Sequence, residues 1–534
     1  MIYIQKTYII IKIWFIFIQN LIFTSFLFGD GSLNNFNKFI TGLMAVSICF
    51  LSGCGNSSEE NIATTKTATK DYDIFIYNSD TGVGKAFREM CDEYTKRTGV
   101  IIRTVTPTEE ESTVENLESY INSEYPPDIF TVNNMEEMKK WQLSENIWDF
   151  SNATEESFKE VVNKIPEGLR LSSNTSDSFG VPATIEGYGY LVDPKMIASL
   201  FGGDKHRSAL HDLQFCSYDE FSLFIEALNS YINGGINSEF TLNEKSYSFA
   251  ENKGELSGNL TGIFSFSGGN EKIPGSYLMN SILASIFKSP AYAYISNDAS
   301  VEQLSSSLMR YAEALDVISG NVAGDNKLLE RGDEFISSSK NSSTKAIKNF
   351  VNGKSLFLLA STKDYENISI FDSLVSKRCV FVPVKVPITE LDVALSGNQI
   401  GKNVNKSLTV FSPRYYCINA KSSDKEKKAA QDFLVWLKTS ELAEKYIIPE
   451  FGYVPYDIKD GSVVDNPLER SMIDYVSENK TIPGVFLGAP NSWCNETMGK
   501  YIVTNLFNKS FWTLDDYEQL ANYGIEKWKE LKGS

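Results

Sequence analysis

The sequence predicts an α/β fold in which central mixed β-sheets are flanked by helices, and three observations carry that expectation. Between Tyr72 and Val132, three short apolar runs alternate with two stretches of helical spacing. Two longer extended segments, Phe179 to Val192 and Leu408 to Asn419, read as crossings between separately packed bodies. A length of 534 residues, with 42% hydrophobic and 22% charged, suffices for two or three domain-sized cores.

Taken in order, Tyr72 to Tyr77 (Y-D-I-F-I-Y) reads as a buried strand, and Asn78-Ser79-Asp80-Thr81-Gly82 as the turn after it. Val83, Phe87, Cys91 and Tyr94 recur at helical spacing and stop at Gly99; Val100 to Val105 is the next strand. Val114, Leu117 and Ile121 mark a second helix, and Asp128 to Val132 follows Pro126-Pro127 as a third strand. This alternation describes an open, largely parallel sheet whose ligand crevice lies at the carboxyl ends of the strands, which places Asn78, Asp80 and Asn133 at its rim. Around Glu186, the glycines flanking Tyr188 are expected to relax the backbone for a crossing. Pro194 to about Phe350 is mostly helical. Leu356 to Ala360 and Cys379 to Val386 are strand-like, and Thr389 to Lys406 reads as a loop. Glu426 to Leu437 is a strong amphipathic helix, and the tail from Leu468 is helical with a break at Thr481 to Asn491.

The net charge of -18 repels phosphate backbones and anionic headgroups, so nucleic acid is excluded as a partner, and neutral or cationic ligands fit better. The cysteines beyond residue 54, at 91, 216, 379, 417 and 494, are odd in number and scattered, without C-x-x-C, which speaks against a disulfide framework and a zinc site. His206 and His211 sit on different helix faces, so no metal is expected, and no cofactor. Asp80-Thr81-Gly82 lacks the second triplet that an aspartic dyad needs, and Gly353-Lys354-Ser355 has Lys348 where a phosphate loop needs glycine. No G-x-S-x-G occurs. A glycoside hydrolase needs only two carboxylates, and composition alone leaves it open.

At the start of the chain, an apolar run from Phe39 to Phe50 leads into Leu51-Ser52-Gly53-Cys54, and a polar stretch, Gly55 to Lys70, leads out. This resembles the bacterial lipoprotein lipobox, in which small residues let a signal peptidase cut before a cysteine that then carries acyl chains. The resemblance implies a signal peptide at 33–53, acylated Cys54, a flexible tether at 54–70, and attachment to the outer face of the cell membrane. Residues 1–32 contain a second apolar run, Tyr8 to Phe28, long enough to span a bilayer. Two readings of it remain: a start of translation near Leu33, or an extra membrane helix.

From Asp71 onward the chain resembles the extracellular solute-binding proteins of family 1, the carbohydrate receptors of bacterial ABC importers. The resemblance is carried by Y-P-P-D-I-F-T-V at Tyr125 to Val132, G-V-P-A-T-I-E-G-Y-G-Y-L-V-D-P at Gly180 to Pro194 and F-V-N-G-K-S-L-F at Phe350 to Phe357. A-x-x-F-L-x-W-L-x-T-S at Ala430 to Ser440, E-F-G-Y-V-P at Glu450 to Pro455 and I-P-G-V-F at Ile482 to Phe486 extend it, with Asn491-Ser492-Trp493-Cys494 after them. It implies a two-lobe, type II periplasmic-binding-protein-like fold joined by hinge crossings: lobe one at 71–185 and 408–455, lobe two at 188–405 and 456–534. It further implies no catalysis, a sugar or oligosaccharide ligand, delivery to permease subunits, and a monomer; the alternatives are a receptor of the same fold for a peptide, polyamine or metal chelate, or an exported glycosidase. A glutamate that bonds sugar hydroxyls falls on Glu186. Rings that stack on the sugar match Trp493 and Tyr277, with Tyr188 beside the glutamate. Where many relatives carry a tryptophan after the strand matching Leu356 to Ala360, this chain has Tyr365.

Overall fold

The computed structural model describes residues 70–111, 114–388, 392, 398–490 and 492–533. The expected signal peptide and Cys54 lie outside the described residues. Lys70 to Ser534 forms one compact unit built on two mixed sheets.

The first sheet runs, in spatial order, Ile102–Val105, Ile74–Tyr77, Ile129–Val132, Tyr415–Ile418 and Val181–Pro182. The first three strands are mutually parallel, and Tyr415–Ile418 runs antiparallel to its neighbours on both sides. Ile74–Tyr77 and Ile129–Val132 are buried along their whole length, which is why they read as continuous apolar runs. The helix Gly84–Thr98 lays Phe87, Met90, Cys91 and Tyr94 against the sheet. It ends on Gly99 at φ 76°, a left-handed cap that glycine adopts without a Cβ clash.

The second sheet runs Thr481–Pro483, Leu408–Phe411, Glu186–Val192, Phe357–Ser361 and Phe264–Ser265. Val380–Val382 pairs with Tyr190, Leu191 and Val192, beyond the reach of Leu408–Phe411 on the same side of the long strand. Gly187 and Gly189 lie inside this regular strand, so they do not loosen it as expected. A Cβ on Gly187 would stand 2.9 Å from the Met472 side chain, and one on Gly189 would stand 2.9 Å from Leu408 and from the Val382 carbonyl. Their smallness lets neighbouring strand and helix close in on Tyr188.

Two passages of chain join the sheets directly: Ala183–Ile185, and Ser412–Arg414. A third, around Val454, returns the chain after the helix Glu441–Ile447. They are tied to one another. The Ala183 N–H donates to the Arg414 carbonyl at 2.9 Å, the Ile185 N–H to the Val454 carbonyl at 2.9 Å, and the Val454 N–H to Thr184 Oγ1 at 2.9 Å. The expected division at residue 408 is corrected by this pairing: Leu408–Phe411 belongs to the second sheet, antiparallel to Glu186–Val192 and parallel to Thr481–Pro483, and the crossing follows it. Within the expected loop at 389–406, Gln399–Lys406 forms 3-10 turns.

One apolar cluster lies on a face of the first sheet, a second covers the helices of the second sheet, and a third runs continuously from one sheet to the other past the crossings. Cys91, Cys216, Cys379, Cys417 and Cys494 are buried free thiols within them. Among the described residues, no helix is long and apolar enough to cross a membrane.

Candidate ligand-binding site

The carboxyl ends of the first sheet's parallel strands deliver Asn78, Asp80 and Asn133, as the strand–helix alternation implied. None of them is an idle turn residue. Asn78 is fully buried; its Oδ1 accepts from the Asp80 N–H at 3.2 Å, while its Nδ2 has no hydrogen-bond partner among the described residues. Asp80 caps the following turn through the Gly82 N–H at 3.1 Å. Its Oδ2 also receives the Tyr453 hydroxyl at 2.5 Å and an ion pair from Arg414. Burial pushes the Asp80 carboxyl up, but the Arg414 charge, the Tyr453 hydroxyl and the Gly82 N–H together outweigh it and hold it below the usual carboxylate range. Asn133 gives its N–H to the Glu137 carboxylate at 2.8 Å and its side-chain amide to the same group at 3.1 Å. Glu137 thereby closes the amino end of the helix Met135–Leu143, and burial raises its pKa against those bonds.

From the other side, the crossing Ala183–Ile185 ends at Glu186, the first residue of its strand. The register sets Phe411 opposite Glu186, and Tyr188 two residues on shares the Glu186 face. Tyr277, the last residue of the π-helix Ile273–Tyr277, stacks on Tyr188 with centroids 4.1 Å apart and planes at 16°. Phe411 lies 6.2 Å from Tyr277, and Phe486 meets both edge-on at 5.3 and 5.9 Å. Phe486 is held there by buried Asn280, whose amide donates to the Pro483 carbonyl at 2.9 Å and whose Oδ1 accepts from the Phe486 N–H at 3.3 Å. The result is a floor of four rings beside one carboxylate. Tyr188 is buried with its hydroxyl unpartnered among the described residues, whereas Tyr277 and Phe486 keep part of their surface open.

Glu186 itself is 12% exposed, and Lys363 stands 3.7 Å away, half exposed. Burial raises the Glu186 pKa, and the charges of Lys363 and Arg414 pull against it. Beyond Lys363 opens a groove of about 830 Å³ between the two lobes. Tyr365 lines it, with Thr362, Lys363 and Glu469 from the second lobe and Glu441, Glu444 and Phe451 from the first. Burial pushes the Glu469 carboxyl up to about 7.

Trp493 does not join these rings. It is fully buried, its indole N–H donates to the Gly524 carbonyl at 2.9 Å, and its ring packs edge-on against Trp528 at 4.7 Å. Its faces are therefore already enclosed by protein, and the stacking role expected of it is corrected to core packing. The residues that sequence reasoning missed are Phe411, Phe486, Arg414, Tyr453, Glu137, Lys363 and Glu469. Only Arg414 carried a visible signal, as a lone cation within the otherwise apolar crossing Leu408 to Asn419.

No family model matches the chain, and no curated protein does. Solved structures do. The apo form of RafE from Streptococcus pneumoniae superposes with a TM-score of 0.56 at 14% identity, over 86% of this chain and 97% of that one. RafE in complex with raffinose gives 0.51 at 13%, over 86% and 99%. A family 1 extracellular solute-binding protein from Bifidobacterium longum subsp. infantis gives 0.55 at 16%, over 86% and 99%. Together with two sheets joined by tied crossings, these likenesses give this chain the two-lobe α/β fold of the family 1 extracellular solute-binding proteins.

Proposed function

We propose that the chain is a sugar receptor, anchored to the outer face of the cell membrane through acylated Cys54, that binds a sugar or oligosaccharide between its lobes and delivers it to ABC permease subunits. The observation that carries this reading is the Glu186 carboxylate beside the floor of Tyr188, Tyr277, Phe411 and Phe486. A sugar ring presents hydroxyls at its rim and C–H groups on its faces, and this arrangement matches both. Asn78 Nδ2, Arg414 Nε and the Tyr188 hydroxyl are buried donors without partners among the described residues. A buried donor left unmade costs about 1–3 kcal/mol, so a hydroxyl-rich ligand is favoured by whichever of them it satisfies. RafE, of like fold, has been solved with raffinose bound.

Asn78, Asp80 and Asn133 belong to one lobe, and Glu186, Tyr188, Tyr277 and Tyr365 to the other. A ligand that touches both favours the closed arrangement because only that arrangement contacts it from two sides. Binding is tested by titrating the chain with a sugar panel in a calorimeter and following intrinsic fluorescence, with chromatography of the sugars afterwards. Heat and unchanged sugars are expected. A second reading, an exported glycosidase, is favoured by one observation: Glu186 and Glu469 are neighbouring carboxylates, both raised by burial. Steady turnover in the same experiment would establish it in place of the receptor.

A further inference from the structure

Two π-helices meet beside the ring floor. Ile273–Tyr277 ends on the floor ring Tyr277, and Trp493–Gly499 packs along it. They touch main chain to main chain: a Cβ on Gly275 would stand 2.1 Å from the Cys494 carbonyl oxygen, and one on Gly499 would stand 2.2 Å from that of Glu271. The place of the second helix relative to Tyr277 is therefore set by backbone contact rather than by flexible groups. The Cys494 thiol also donates to the Phe486 carbonyl at 3.7 Å, which ties the same helix to another ring of the floor. π-Helical turns are rare and recur at functional sites.

Trp493 turns into the core, whereas Asn495, two positions on, falls on a different side of the helix and is partly exposed. Ser276, buried and next to Tyr277, donates its hydroxyl to Asn495 Oδ1 at 2.5 Å. That bond orients the amide, and among the described residues its Nδ2 has no hydrogen-bond partner. From the first lobe, Glu136, three residues after Asn133, feels the same helix: burial raises its pKa, and the charges of Glu137 and Glu496 raise it further. The Asn495–Glu496 turn thus lies where the ring floor of one lobe meets the Asn133 rim of the other. We propose that Asn495 determines sugar specificity: its Nδ2 donates to one hydroxyl oxygen of the sugar unit seated on Tyr277, and Ser276 is the positioning residue that aims it. Glu186 takes hydroxyl protons and Asn495 reads a hydroxyl oxygen, so the pair demands hydroxyls at two places on the ring. A sugar lacking the second one leaves the amide unpaired and is rejected. The inference rests on the sugar-receptor reading and narrows which sugars the site accepts.

The test uses the full chain, purified in mild detergent, and calorimetric titration with glucose, galactose, maltose and raffinose, then with the monodeoxy forms of whichever binds. The parent should bind one monodeoxy form roughly five-fold or more weakly because of the hydroxyl that Asn495 reads. Asn495→Ala should abolish that one difference and keep the differences at the other positions, which isolates the pairwise contact. Ser276→Ala should shrink the same difference. Asn495→Asp keeps an acceptor for Ser276 but removes the donor, so it repeats the test if the alanine variant fails to fold. A preference retained at every position in the Asn495 variants would overturn the proposal and leave the sugar reading standing. A loss spread evenly over all deoxy forms would assign Asn495 a structural role and overturn the proposal as well. No binding of any of these sugars by the parent would overturn both readings.

Discussion

Arg414 leaves the second sheet on the crossing Ser412–Arg414 and ion-pairs with Asp80, at the carboxyl end of a first-sheet strand, while its guanidinium also reaches the Tyr453 hydroxyl at 3.1 Å. The pair is about four-fifths buried on both sides. Removing one partner strands the other charge away from water, which is where such pairs matter most. Arg414→Ala should lower stability by about 2–3 kcal/mol in urea melts. The Asp80 carboxyl is held low, so its share of stability is present above the ordinary carboxylate pKa and lost as pH falls through the lower folded value. That acid-dependent loss should shrink in Arg414→Ala. An unchanged acid limb would mean that the pair contributes nothing to folding.

Trp493 separates a core role from a contact role. Its indole fills the space between Gly524 and Trp528, so Trp493→Ala should cost about 3–5 kcal/mol through the cavity left behind. Trp493→Phe should lose roughly 1 kcal/mol, mainly the bond to Gly524. Sugar affinity of the phenylalanine variant should equal that of the parent. A clear loss of affinity at unchanged stability would return Trp493 to the site.

The sequence made the first sheet readable because two of its parallel strands are buried along their whole length and strongly periodic helices separate them. Ile74–Tyr77 and Ile129–Val132 stand out for that reason. Glu186 could be placed by the resemblance of the segment Gly180 to Pro194, and it opens the apolar strand that follows. Of the ring floor, the resemblance reached Tyr188 and Tyr277, but Phe411 and Phe486 join them through a strand register and an Asn280 clamp that no local periodicity encodes. The same cause misplaced Trp493: a tryptophan in a resembling motif says nothing of which way the π-helix Trp493–Gly499 turns it. The boundary at 408 failed because a strand before a crossing and one after it have the same apolar pattern.

Glu469 offers a pH readout. Its folded pKa near 7 lies well above the ordinary glutamate value of about 4.3, so its share of stability is full below the unfolded pKa and lost as pH rises through about 7. Melts of the parent should therefore decline between pH 5 and pH 8, on the order of 2–3 kcal/mol from this group. Glu469→Gln should flatten that slope. Parallel slopes in both proteins would show that Glu469 titrates in the ordinary range.

Cys54 lies outside the described residues, and its acylation is tested directly. Metabolic labelling with a fatty-acid probe should mark the parent and not Cys54→Ser. Equal labelling would end the lipoprotein reading, and a reporter fused after residue 32 would tell whether the first stretch is translated.

Glu186 is the residue on which ligand affinity should depend most. Its ion-pair partner Lys363 stands 3.7 Å away and is half exposed, so the pair adds little to stability. Burial dominates instead and raises the pKa, which means that the ionised carboxylate is a net cost to the unliganded protein. By linkage, its favourable share is present below the unfolded pKa and lost as pH rises through the folded one. Glu186→Gln should therefore melt no lower than the parent at pH 7, and any advantage should fade toward pH 4. Ligand binding should move the other way. A charged acceptor can take two hydroxyl protons, and such bonds are worth about 1.5–3 kcal/mol, so the glutamine variant should bind roughly ten-fold or more weakly. Calorimetric titration and thermal melts on the same two proteins separate the outcomes. Lower stability with intact affinity would make Glu186 a brace for the crossing, and unchanged values of both would remove it from the site.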